Sequence, residues 1–240
     1  MQPEERLAAL GFGDEDAAVL AAHFRWAEEK GETGHGYSRI AWLETWEELP
    51  FGTPKRVGDN RWDGSGALGY LTLHAAVQAE LASPPEHARV VVCANTFPTG
   101  ALGYWVRLLA EGGLVGVLTA TSPRRLASPD GGPPLTGTNP LAIGIPSSDG
   151  APVVADVSMG AVTHGAVLAG LAQPDELVPF GGAQAYKAFA LAVGLQLLVD
   201  SLAGGGYGAV LVVARPEADP VPAFRELAAG VRLPGSPARP

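Results

Sequence analysis

Two side chains able to act on one small acid stand four residues apart in the run GHGYSR at 34–39, His35 and Arg39. A guanidinium presents a planar fork that grips a carboxylate through two parallel charge-assisted hydrogen bonds. An imidazole, with an unperturbed pKa of ~6.5, gives or takes a proton near neutrality. If residues 34–45 are helical, positions i and i+4 project from one face and the pair can converge on a single ligand. That combination suits a small acid whose neighbouring carbonyl or imine is reduced. The competing reading is a solvated polar turn, in which Arg39 pairs with Glu44 or Glu47 and His35 only caps.

The remaining histidines offer less. His164, in VTHGAV, either lines a site or is a partly buried structural residue, and the second is the commoner fate. His23, His74 and His87 read as structural or surface residues, and no His-x-x-x-His spacing with an acidic partner suggests a metal. Tyr37, Trp42 and Trp46 form an aromatic edge beside His35 and Arg39, either as helix packing or as the wall of a pocket. The run GSGALG at 64–69 satisfies the G-x-G-x-x-G dinucleotide pattern, but VGDNRWD before it reads as turns. The pyrophosphate mechanism needs a strand there, so a glycine-rich turn into a helix is the preferred reading.

The elements that must position these residues follow from periodicity. Helical spacing covers 3–10, 14–30, 35–49, 67–81 and 101–112, with short helical character at 161–172. The stretch 183–204 reads as a long apolar helix buried on most sides. Runs at 88–96, 114–121, 141–146, 152–158 and 207–216 read as strands, and residues 50–69 as turn-rich. Helices first, then strands interleaved with helices, predict an α/β fold. The 240 residues are 47% hydrophobic and 17% charged, a globular composition. A net charge of −9 with no basic stripe argues against nucleic acid. Cys93 alone allows no intrachain disulfide, and neither a leader nor an apolar run of ~18 residues is evident, so the expectation is a cytoplasmic protein without membrane partners.

Read in order, GHGYSR, TGTNPLAIGIP (136–146), PVVADVSMGAV (152–162), VPFGG (178–182) and VRLPG (231–235) resemble the malate/L-lactate dehydrogenase family. This is the NAD(P)-dependent, non-Rossmann group that also includes ketimine reductases. GTNPLAIGIP followed by DVS is the specific part. The resemblance implies an N-terminal helical and catalytic segment (1–60) and an α/β cofactor-binding domain (61–240). It implies that His35 is the proton donor and that Arg39 takes the place of the following arginine. NADPH or NADH would be held through Gly137, Thr138, Asn139 and Pro140, and through Asp156, Val157, Ser158, Met159 and Gly160. Asp156 would hold a ribose or orient the histidine. The family's lysine after the PxGG turn falls on Gln184, with Lys187 one helical turn further on. Its SHG serine falls on Gly34 and its second histidine on Pro98, and two segments are much shortened, which opens the substrate side. The expected activity is hydride transfer to the C=O or C=N carbon of a 2-keto acid, cyclic imine or related biosynthetic intermediate, in a homodimer. The alternative is a member without turnover that serves as a nucleotide-binding or interaction module.

Overall fold

The structure, a computed structural model, is described for residues 1–235. It opens with two helices, α1 (Pro3–Ala9) and α2 (Asp14–Glu29). Asp14, Glu15 and Asp16 fill the first turn of α2, where carboxylates complement the positive end of the helix dipole. Its buried residues Ala17, Leu20, Ala21, Phe24 and Ala27 recur every three to four positions and form one inward stripe.

The predicted helix over 35–49 is much shorter. A 3-10 turn at Thr33–His35 leads into α3 (Ser38–Leu43), and turns follow. The Glu28 carboxylate accepts the Tyr37 N–H at 3.0 Å, and Ser38 Oγ donates to the Thr33 carbonyl at 2.6 Å. These local bonds hold the chain in a turn where a continuous helix would have put His35 on a helical face.

The turn-rich stretch contains a hairpin, β1 (Lys55–Gly58) and β2 (Arg61–Asp63). Next come α4 (Gly69–Ala82), β3 (Ala88–Ala94), α5 (Leu102–Glu111), β4 (Val115–Ala120), β5 (Leu141–Ile145) and β6 (Val153–Val157). The described chain ends with α6 (His164–Leu168), α7 (Ala185–Ala203), β7 (Gly208–Ala214) and α8 (Val221–Leu227). The strands form one sheet in the order β1-β2-β3-β7-β4-β5-β6, parallel at β2–β3 and antiparallel elsewhere. Period-two alternation separates its faces. Val91, Cys93, Leu211 and Val213 join a core shared with α2, α4 and α5, whereas Val92, Ala94 and Val210 face α7.

A strand therefore does precede GSGALG, where the sequence predicts turns. Its glycines nonetheless serve packing. A Cβ on Gly64 would strike the Asn95 carbonyl, and one on Gly69 would lie 2.6 Å from Phe97 N. The backbone of 95–98 fills the space a pyrophosphate would need.

The helix α7 also differs from expectation. Only Ala185, Ala188, Ala192, Gln196, Val199 and Ala203 are buried, while Leu191, Leu197, Leu198 and Leu202 are exposed. Small residues let the helix lie close on β3, β4 and β7, and the bulky ones point outward. In length and hydropathy it is long and apolar enough to cross a membrane. Its inner face, however, carries Gln196, which accepts from Asn139 Nδ2 at 3.0 Å and donates to Asp200.

Candidate active site

A cavity of about 510 Å3 opens between the N-terminal turn, the loop 97–102, the ends of β4 and β6, and α6. His35 and Arg39 both line it, together with Thr138 and Pro140 of the GTNP run and Asp156 and Ser158 of the DVS run. Residues more than a hundred positions apart thus share one wall system.

Arg39 does not pair with Glu44, which is held instead by Arg6 at 2.8–2.9 Å. The guanidinium is largely buried, stacks over Trp42 with 5.0 Å to the ring centroid, and its Nε has no partner among the described residues. His35 Nδ1 is likewise buried and unpartnered. Burial, then the Arg39 charge, then His23 push the His35 proton affinity down to about 3, so the imidazole is neutral at physiological pH.

Gly34 explains its own identity. A Cβ there would lie 2.8 Å from Ala166 N and 2.9 Å from the Gly165 carbonyl carbon, while one on Gly165 would collide with Arg39. The paired glycines let α6 close against the 3-10 turn, which brings His164 to the cavity wall. His164 is thus a lining residue, held neutral with a pKa of about 4 by burial, then by Arg125 and Arg39.

Two carboxyls face the same space. Burial raises Asp156 to about 6, even though its Oδ2 accepts the Gly103 N–H at 2.6 Å at the start of α5. Burial, then Asp156, raise Glu32 to about 7, so Glu32 carries a proton over much of the neutral range. Glu32 and Arg125 had no sequence signal, because each sits in a turn among other charged residues with no motif or spacing that marks it.

The other sequence candidates lie away from the cavity walls. Asn139 is fully buried with φ +28°, and its Nδ2 donates to the Ala192 carbonyl and to Gln196 of α7. Gly137 sits against Ser122, and Met159 packs with Leu126 and Ala192. Val157 points out to solvent, and Gly160 bridges to Pro179. Gln184, the N-cap of α7, accepts from the Tyr186 hydroxyl, and Lys187 on the first turn stands over the Tyr186 ring, both exposed. Pro98, in the place of the second histidine, lines the cavity with Phe97.

A buried support holds the 97–102 wall. His23 Nε2 accepts the Ala101 N–H at 3.1 Å, and Trp105 Nε1 donates to the Thr99 carbonyl at 2.9 Å. Both rings belong to an aromatic group with Phe24, Tyr70 and Tyr104. Among the described residues no cluster of three His, Cys, Asp or Glu could hold a metal.

Residues 3–176 match the malate/L-lactate dehydrogenase family. The chain belongs to that family. Its members are NAD(P)-dependent dehydrogenases and reductases. The chain is 25% identical to the L-sulfolactate dehydrogenase of Methanothermobacter thermautotrophicus, over 89% of this chain and 72% of that protein. It is 28% identical to the Δ1-pyrroline-2-carboxylate/Δ1-piperideine-2-carboxylate reductase of Pseudomonas putida, over 82% of this chain and 67% of that protein. The fold agrees with the crystal structure of malate dehydrogenase from Entamoeba histolytica, with a TM-score of 0.82 at 19% identity, covering 98% of this chain and 84% of that one. It also agrees with the crystal structure of Δ1-piperideine-2-carboxylate reductase from Pseudomonas syringae pv. tomato, with a TM-score of 0.80 at 23% identity, covering 98% of this chain and 88% of that one. The chain is therefore an oxidoreductase of this family on an α/β fold.

The cavity suits a nicotinamide ring with a small acid beside it. Its volume falls in the range of small-molecule sites. Its lining combines the apolar Trp42, Phe97, Pro98 and Leu171 with the hydroxyl-bearing Thr138 and Ser158, and the unpartnered Arg39 Nε and His35 Nδ1 belong to residues of the same lining.

Proposed function

We propose that the chain is an NAD(P)H-dependent reductase of a 2-keto acid or cyclic imino acid, with His35 and Arg39 as its acid–base and substrate-binding groups. The observation that carries this reading is the meeting of an unpartnered guanidinium and an unpartnered imidazole in one cavity with Thr138, Asp156 and Ser158. The bound reduced cofactor supplies the hydride. Arg39, fixed by Trp42 and the α6 backbone, holds the substrate carboxylate. An anion on Arg39 removes one of the charges that keep His35 deprotonated, so substrate binding raises the imidazole's proton affinity. A proton taken up by the imidazole there passes to the developing alkoxide or amine. Glu32, protonated over much of the neutral range, keeps an exchangeable proton on the cavity lining, which Asp156 shares.

Thr138, Pro140, Asp156 and Ser158 are the proposed cofactor contacts, while Gly137, Asn139, Met159 and Gly160 set the loops that carry them. In the same reading, residues 1–60 furnish the substrate-gripping wall and 61–240 the cofactor part. The bare leucines of α7 favour a second copy of this chain as their cover, giving a homodimer. Pro98 favours a second reading, in which the protein binds a nucleotide without turnover. Titrating NADH and NADPH by fluorescence, then following NADPH oxidation with pyruvate and with Δ1-piperideine-2-carboxylate, separates the two. Binding with oxidation is expected. Binding alone selects the second reading, and no binding of either cofactor rejects both.

A further inference from the structure

Arg125 stands where two hollows meet. It lines the cavity described above and also a second hollow of about 660 Å3 walled by Ala161, Val178, Phe180, Gly182 and Ala185. Among the described residues it is the one that lines both, and the only charged one on the walls of the second. Its side chain is exposed and takes part in none of the ion pairs or side-chain hydrogen bonds among the described residues.

We propose that Arg125 binds the pyrophosphate of the dinucleotide cofactor, an inference that rests on the reductase reading above. A dinucleotide is two flat ring systems joined through ribose and a doubly anionic centre, and it is too long for a 510 Å3 cavity that must also admit a substrate. The adjoining hollow is apolar and presents the partly exposed Phe180, a surface suited to an adenine ring. With one ring in each hollow, the anionic middle falls at the junction, where Arg125 is the available cation. A guanidinium meets phosphate oxygens in the same forked geometry as a carboxylate. Gln184 and Lys187, the family-like candidates after the PFGG turn, line neither hollow, so Arg125 carries this part of the binding in their stead.

The test measures Kd for NADH and for NADPH by fluorescence on the full chain, on Arg125→Gln and on Arg125→Glu, with thermal melting to confirm the fold of each. Arg125 is exposed, so both variants should melt close to the wild type. Arg125→Gln should weaken NADH and NADPH alike, by about 10- to 100-fold for a lost charged hydrogen-bonding group, and Arg125→Glu by more. Wild-type binding that persists unchanged in Arg125→Gln overturns the assignment and leaves the reductase reading intact. Loss of NADPH affinity alone also overturns it and moves Arg125 to the ribose 2′-phosphate. Unchanged Kd with a raised KM for the oxidised acid overturns it in favour of a substrate anion. Failure of the wild type to bind either cofactor overturns the reductase reading, and this inference with it.

Discussion

His35 stands in the cavity wall as a neutral imidazole, and Arg39 is part of the reason. Calorimetry of substrate-analogue binding near pH 7, in buffers of different ionisation enthalpy, should therefore register net proton uptake, and Arg39→Met should abolish it. His35→Ala should lower turnover by about 10²- to 10⁴-fold, the usual contribution of a general acid, while cofactor Kd changes by less than about 2-fold. Equal turnover would remove His35 from the chemistry. Glu32 gives a stability prediction with a definite sign. Its carboxyl titrates at about 7 in the fold against 4.5 in its ordinary state, chiefly because it is buried. The stability this contributes is complete below pH 4.5 and is lost as the pH rises through about 7. Glu32→Gln cannot ionise, so its melting temperature should rise relative to wild type between pH 5 and pH 8 and show little difference at pH 5. A constant offset at both pH values would refute the assignment. His23 and His35 act in the opposite sense. Both are held near 3 against 6.5, so their contribution is present above pH 6.5 and lost as the pH falls through about 3.

At the scale of elements, the site depends on close backbone approaches that larger side chains would prevent. The 3-10 turn and α6 touch through Gly34 and Gly165. Restoring a serine at 34, as the family resemblance suggests, should therefore fail to improve the enzyme. Gly34→Ser must push α6 outward, destabilise the fold by about 1–3 kcal/mol as overpacking does, and lower substrate affinity by displacing Arg39 and His164. Chemical denaturation together with KM measurement checks both effects. A similar approach seats α5 on the sheet, where a Cβ on Gly144 would collide with the Val106 carbonyl. The start of α5 is tied to β6 through Asp156 and Gly103, so helix docking and cavity shape are coupled. Asp156 acts here as a helix-end acceptor, a role that neither of the sequence alternatives for it included.

At the scale of the molecule, the helices of the first residues and the sheet share one core that runs from Leu7 to Val213 and leaves α7 on the other face. The outward leucines of α7 make a patch of the kind that marks an interface. Sedimentation should show the wild type as a dimer and the double variant Leu198→Asp, Leu202→Asp as a monomer. A monomeric wild type would discard the second-copy cover. Trp105 anchors the opposite side, fully buried and bonded to Thr99 of the cavity wall. Trp105→Ala should lower stability by about 3–5 kcal/mol by opening a void in that core.

The sequence by itself determined the elements whose stabilising pattern is local. The apolar stripe of α2, the β-branched strands and the residue types of GHGYSR, GTNP and DVS were all legible, because side-chain period and chemistry are written in consecutive residues. Only the tertiary structure decided which of those residues face one cavity. Thr138 lines it while its neighbour Asn139 clasps α7, and Asp156 and Ser158 line it while Val157 points to solvent. Glu32, Arg125 and His164 enter the site through packing between segments far apart in the chain. The proton affinities of Glu32 and His164 follow from burial and from charges on other elements, so no local pattern encodes them. The long apolar run at 183–204 is the same case: hydropathy gives a helix, but whether its leucines point into the core or away depends on how closely alanines let it approach the sheet.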